Sequence, residues 1–307
     1  MTTNKQSEQR TGVINAICAY LLWGLAPIYF KLIEMISAQE IMIHRILWSS
    51  VLLLVIIVFS QKWHKLIALL RQPLLIAKLS VTASFLAFNW FLFIWAVNND
   101  HLLDASLGYF INPLFSVALG VFFLGEKLRK WQFFAVILAV SGVLIQLIAL
   151  GSLPMISLGL ASSFGLYGLL RKKLNVDSFL GLFIESLMML PIALLYWYFF
   201  VSSETSNLFA NEAALNGLLI CAGIVTTAPL LCFTAAAKRL TLSSVGFFQY
   251  IGPSIMFILA TVYYQETLLT GKLVTFVLIW LALIVYSADS IHFHQSIKDK
   301  VKSGDIL

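Results

Sequence analysis

Charge is what this sequence has least of. Of 307 residues, only 11 % are Asp, Glu, Lys or Arg, where soluble domains carry roughly a quarter. Hydrophobic residues make up 60 %, and the mean hydropathy is +0.92. A soluble domain must cover itself with polar side chains. The composition therefore excludes a soluble enzyme, a nucleic-acid module and a disordered chain. Cysteine is scarce as well. Cys18, Cys221 and Cys232 lie in apolar runs without C-x-x-C or Cys/His spacing, and read as small packing hydrophobes. There is no H-E-x-x-H and no recognisable nucleophile triad. Residues 120–127 have the spacing of a phosphate loop, but Glu126 stands where the lysine belongs and no Ser or Thr follows. Nucleotide binding, and with it an ATP-driven pump, is disfavoured. His292 and His294 are too sparse for a metal site, so no metal and no cofactor is implied. No A-x-A-like cleavage site follows a short apolar core, so the first apolar run is expected to be a retained span.

What the sequence has is long apolar runs. Ten can be read, at 12–32, 39–60, 77–97, 103–124, 131–150, 154–170, 178–200, 214–236, 242–263 and 270–288. A span needs about 20 apolar residues, and the alternating ten-residue pattern of membrane strands is missing. The expected fold is therefore an all-α integral membrane protein of ten transmembrane helices. The stretch 61–76 mixes Lys62, His64, Lys65 and Arg71 with Leu and Ile, as an interfacial amphipathic segment does. Segments 1–11, 61–78, 127–130, 171–173, 238–239 and 298–302 hold seventeen of the 20 Lys and Arg. With ten spans these all fall on one side. Basic residues collect in cytoplasmic loops, so both termini are expected in the cytoplasm and the protein in a bacterial inner membrane.

The sequence also matches itself. A shift of 140 lays 101–126 on 241–266, with Ile111 on Ile251, Pro113 on Pro253 and Glu126 on Glu266. A shift of 141 lays Trp23-Gly24-Leu25 on Phe164-Gly165-Leu166. Residues 1–150 and 151–290 then form two repeats, and 291–307 a polar cytoplasmic tail. Five spans per repeat is odd, so the halves enter the bilayer in opposite senses, the inverted-repeat plan of secondary transporters.

Particular residues then resemble a family. Tyr109-Phe110-Ile111-Asn112-Pro113, Phe123-Leu124-Gly125-Glu126, Trp131-Gln132 and Ser141-Gly142-Val143 resemble the EamA repeat of the drug/metabolite transporter superfamily. Residues 93–99, 105–110 and 246–253 are similar to its RarD subgroup. The resemblance covers roughly residues 10–290. It implies ten helices, a central cavity between halves and permease activity, with no fixed substrate. Gln265 departs from the pattern, standing where the glycine before the helix-end glutamate belongs.

Ionisable residues inside spans are expensive and default to functional readings. Arg45 reads as a receiver for an anionic or polar substrate group, and Glu185 or His44 as a proton carrier. The repeat shift sets Glu185 against Arg45 or His44. The rival reading of these residues is structural pairing that fixes helix packing. Asn89 and Trp90 interrupt the third helix with polar and aromatic surface. Tyr109 and Asn112 precede Pro113, and Gln249 and Tyr250 precede Pro253. Breaks at corresponding positions in two halves point to a binding site, while proline kinks with satisfied backbone are the alternative. Trp23 is a further candidate contact. Glu126 and Glu266, ending their helices on opposite faces, suit alternating gates or structural latches. The function that follows is secondary-active export of a small amphipathic metabolite or drug through the lipid bilayer, with protons as a candidate coupling ion. A passive channel, a lipid scramblase and an integral membrane enzyme are rivals. The Ser116/Gly120 spacing serves helix packing or a homodimer.

Overall fold

The computed structural model describes residues 2–99, 101–150, 155–201, 205, 208, 209, 211–263 and 270–302. All of its regular structure is helical. The long helices are α1 (Thr2–Leu32), α2 (Ala38–Phe59), α4 (Pro73–Asn98), α5 (Leu102–Leu124), α6 (Lys130–Leu150), α7 (Met155–Lys173), α8 (Ser178–Phe200), α9 (Ala213–Arg239) and α12 (Thr270–Lys302). Three short ones complete the set: α3 (Trp63–Leu70), in the amphipathic segment, and α10 (Leu242–Gln249) followed by α11 (Ile251–Ile258), which runs into a π-helical turn at Leu259–Tyr263.

Local chemistry sets the ends. The Ser37 hydroxyl accepts from the Glu40 N–H and caps α2. The Asp177 carboxylate accepts from the Phe179 and Leu180 N–H groups and caps α8. The Thr241 hydroxyl caps α10 in the same way. These side chains satisfy backbone donors that a helix leaves open. Gly125 closes α5 at φ 65°, a left-handed conformation that suits glycine.

Among the described residues, eight helices are long and apolar enough to cross a membrane. The other two expected runs are also helical, but α7 carries serines, glycines and three terminal basic residues, and α6 has its apolar stretch at Lys130–Ile145. The helix α12 continues to Lys302, so much of the expected polar tail is helical. Exposed apolar side chains surround the bundle, with Tyr198, Phe199 and Phe200 at one end of α8 and Trp131, Phe133 and Phe134 at the start of α6. A surface this apolar belongs in lipid, and aromatic residues favour its interfaces.

The packing follows a definite pattern. Helix α2 packs on α8 and α9, α4 on α7 and α8, and α1 on α9 and α11. Helix α5 packs on α7 and α10, and α6 on α12. One end of the bundle is tied by ion pairs, Lys62 with Asp177 at 2.9 Å, Arg129 with Asp289 at 2.6 Å and Arg239 with Glu8 at 2.7 Å. There too the Lys172 ammonium donates to the Ala237 and Leu240 carbonyls. At the opposite end the Tyr29 hydroxyl donates to the Leu218 carbonyl at 3.0 Å, and Thr205 donates to the Glu40 carboxylate at 3.1 Å.

Candidate functional site

Arg45 lies about 10 Å into α2 at 1.5 Å per residue. Its Nε donates to the Thr226 hydroxyl at 2.8 Å, halfway along α9. The guanidinium lies 4.7 Å from the centre of the Trp90 ring and 5.9 Å from that of Phe30. It also interacts electrostatically with the Tyr29 and Tyr109 hydroxyls. Its terminal nitrogens make no protein hydrogen bond, and Arg45 is only half-buried. Tyr109 keeps 45 % of its surface open, and its ring stands 6.2 Å from that of Phe93. Five helices, α1, α2, α4, α5 and α9, therefore bring one cation and several rings to a shared space.

Other expected site residues lie elsewhere. Asn89 donates from Nδ2 to the Leu160 carbonyl and to the Ser163 hydroxyl, both at 2.9 Å, which ties α4 to α7. Neither Asn89 nor Trp90 interrupts the helix, since α4 runs unbroken through both. Helix α5 likewise runs unbroken through Pro113, whereas the counterpart run divides at Tyr250 into α10 and α11. A proline removes one donor but bends a helix only when its neighbours allow it. Tyr250 is buried, and its hydroxyl donates to the Phe110 carbonyl at 3.3 Å. Gln249 is buried beside the buried Tyr20 hydroxyl, and Asn112 keeps an unbonded buried carbonyl. Trp23 sits in an aromatic cluster with Tyr20, Phe164 and Phe233. His44 is fully buried. Its Nδ1 accepts from the Trp48 ring N–H at 3.2 Å, its ring packs on Trp197, and Nε2 has no partner.

Glu185 does not meet Arg45 or His44. Its cation is Arg171, with Nε at 3.7 Å from Oε1 and both side chains buried. Thr82 donates to the same oxygen at 2.5 Å, and Tyr167 to the other at 3.3 Å. Arg45 and Glu185 each lie about 10 Å from the start of their helix, but those starts belong to opposite ends of the bundle. Matching under the repeat thus separates them instead of joining them. On the sequence, Arg171 counts with Lys172 and Lys173 among the basic residues outside the spans. The helix that continues through Lys173 turns Arg171 inward. Gly181 makes the room: a Cβ there would lie 2.1 Å from an Arg171 terminal nitrogen.

Glu126 binds backbone. Its carboxylate accepts from the Leu242 N–H at 2.6 Å and from the N–H and hydroxyl of Ser243 at 2.9 and 2.7 Å. A carboxylate on the first amides of α10 is favoured by the helix dipole. Glu266 lies outside the described residues. At the tied end of the bundle, burial pushes the Asp177 carboxyl up, but Lys62 and the Phe179 and Leu180 N–H groups outweigh it and hold it below the usual carboxylate range.

The profile of the EamA-like transporter family matches residues 10–148. The chain is 52 % identical to an uncharacterized transporter of Vibrio cholerae, over 94 % of this chain and 96 % of that one. It is 52 % identical to Protein RarD of Escherichia coli, over 93 % of this chain and 96 % of that one. It is 31 % identical to a Chloramphenicol-sensitive protein RarD of Pseudomonas aeruginosa, over 91 % and 94 %. A solved crystal structure shares the fold with a TM-score of 0.73, over 91 % of this chain and 98 % of that one, at 15 % identity.

Proposed function

Because this chain belongs to the EamA-like transporter family, among its RarD-type members, and is a multi-pass membrane transporter, we propose that it is a ten-span, inverted-repeat permease of the bacterial inner membrane. It exports a small amphipathic molecule by alternating access, with protons as the coupling ion. The observation that carries this reading is the grouping of the Arg45 guanidinium with Trp90 and Tyr109 inside the bundle.

The packing supports the inverted repeat. Exchanging the halves pairs α1 with α7, α2 with α8, α4 with α9, α5 with α10–α11 and α6 with α12. Under that exchange α2–α8, α5–α10 and α6–α12 map onto themselves. The α1–α9 contact becomes α7–α4, α5–α7 becomes α11–α1, and α2–α9 becomes α8–α4, all of which occur. Tyr250 and Phe110, which touch, are 140 residues apart, the spacing at which the sequence matches itself. The ion pairs support ten crossings. The three that tie separate segments, Lys62–Asp177, Arg129–Asp289 and Arg239–Glu8, join parts that ten crossings would bring to the basic side, and the Tyr29 and Glu40 contacts lie on the other. On the basic side, Glu126 and Lys172 close α10 onto α5 and α7 onto α9.

Glu185 is the proposed proton carrier, since its protonation would release Arg171. His44, with an unbonded Nε2, is the second candidate. The topology is tested by labelling single cysteines at Glu212 and Asn175, after replacing Cys18, Cys221 and Cys232. An impermeant reagent outside the cell should reach the first and not the second. Labelling of both from one side would sink the inverted repeat.

A further inference from the structure

The geometry points to a substrate class: a monocarboxylate with an aromatic body, held by Arg45 in a bidentate pair. This rests on the proposed transport cavity and goes further by fixing the charge and shape of what enters. Arg45 is the anchor because no carboxylate among the described residues pairs with its charge. The ion pairs of the described residues join Glu8, Glu34, Asp177, Glu185 and Asp289 to other cations, and none to Arg45. Glu40, on the same helix, gives a carboxylate oxygen to Thr205, and five residues of helix turn it about 140° away from Arg45. A cation at this depth is expensive without a counter-charge, and a substrate carboxylate would supply one.

The guanidinium is already oriented. Thr226 takes Nε, and Trp90 lies against the face at 4.7 Å. That leaves the two terminal nitrogens without a hydrogen-bond partner among the described residues, a fork whose geometry matches a carboxylate bidentately. One cation balances one negative charge. His44 adds none, because its Nδ1 accepts a hydrogen bond and its ring is packed on Trp197. A dianionic phosphate would therefore enter with an unmatched charge. Beside the fork, the open ring of Tyr109 offers apolar area for an aromatic body.

The test is direct binding to purified protein in detergent, read by thermal shift and calorimetry, with phenylacetate, phenylacetamide, phenethylamine and acetate. Phenylacetate should bind roughly tenfold or more tighter than the amide and the amine, as a charge-assisted pair requires. Acetate, lacking the ring, should bind weakest. Arg45→Gln should remove the preference for the carboxylate, with an unchanged size-exclusion profile and helical circular dichroism showing that the variant is folded. Arg45→Lys, which keeps the charge without the fork, should retain part of the preference. An amide or amine that binds as tightly as phenylacetate, or a preference that survives Arg45→Gln, overturns the assignment. Neither result bears on the crossing count or the inverted repeat, which the cysteine labelling reads separately.

Discussion

Replacing Glu185 with glutamine removes a buried charge and leaves its partner stranded. Arg171 is 1 % exposed. Besides Glu185 Oε1 at 3.7 Å, its guanidinium has a weak contact from Nη2 to the Ser178 carbonyl at 3.4 Å and interacts with the Tyr167 hydroxyl, while Nε and Nη1 are left without a hydrogen bond. Glutamine keeps the volume, and it still offers the Thr82 and Tyr167 hydroxyls a polar group. The loss is therefore the ion pair itself. Removing one member of a buried pair costs about 3–5 kcal/mol, whereas replacing both by apolar residues of similar volume is often neutral or stabilising. Glu185→Gln should destabilise by about 3–5 kcal/mol, and Arg171→Met with Glu185→Leu should recover most of it. Equilibrium unfolding of Glu185→Leu, Arg171→Met and the pair, in detergent micelles beside Glu185→Gln, closes the cycle. A loss below about 1 kcal/mol, the scale of a solvent-exposed pair, would refute the reasoning. The same variant mimics a permanently protonated Glu185. It should abolish flux driven by a pH gradient in proteoliposomes, and full flux would leave Glu185 a structural residue.

Other expectations follow from the same geometry. Gly181→Ala should destabilise by about 1–3 kcal/mol, as overpacking does, because the new Cβ falls on the Arg171 guanidinium; unfolding midpoints check it. The Asp177 carboxyl is held low, so its stabilisation is present above the ordinary carboxylate range and fades as pH falls through its lowered value. Asp177→Asn should therefore flatten the acid limb of a plot of melting temperature against pH, and an unchanged limb would refute this. Tyr109→Ala should weaken ligand binding by about 1–3 kcal/mol, measured by titration. Asn89→Ala should lower stability by roughly 1–3 kcal/mol with ligand affinity unchanged, since its amide bonds Leu160 and Ser163.

The helices could be read from the sequence because their signal is long and additive. An apolar run of twenty residues has few alternatives in a chain this poor in charge. Arg45 could be read for the same reason, as a cation with no business in lipid. Side-chain pairing could not. Arg171 is disguised by Lys172 and Lys173, and its inward turn depends on a helix end that apolar counting places too early. The hint that existed was the Ser- and Gly-rich face of α7, which marks a helix buried among others. Thr226, which orients Arg45, and Thr82, which bonds Glu185, are hydroxyls of a kind common in membrane helices and carry no pattern. The assignment of Glu185 to Arg45 failed because correspondence under a repeat was treated as proximity. In an inverted pair, corresponding residues meet only near the axis that relates them.

That axis gives the Tyr250–Phe110 contact a kinetic meaning. Under the proposed repeat, the two residues exchange places when the transporter reverses its facing, so the contact belongs equally to both orientations. A substitution there shifts the energies of the two end states by similar amounts and leaves their ratio nearly fixed. What it can alter is the barrier between them, and so the speed of turnover in both directions alike. Glu126 is placed differently, fastening one end only. Weakening it should tilt the resting balance between orientations, so a pivot and a clasp can be told apart by whether rate or occupancy responds.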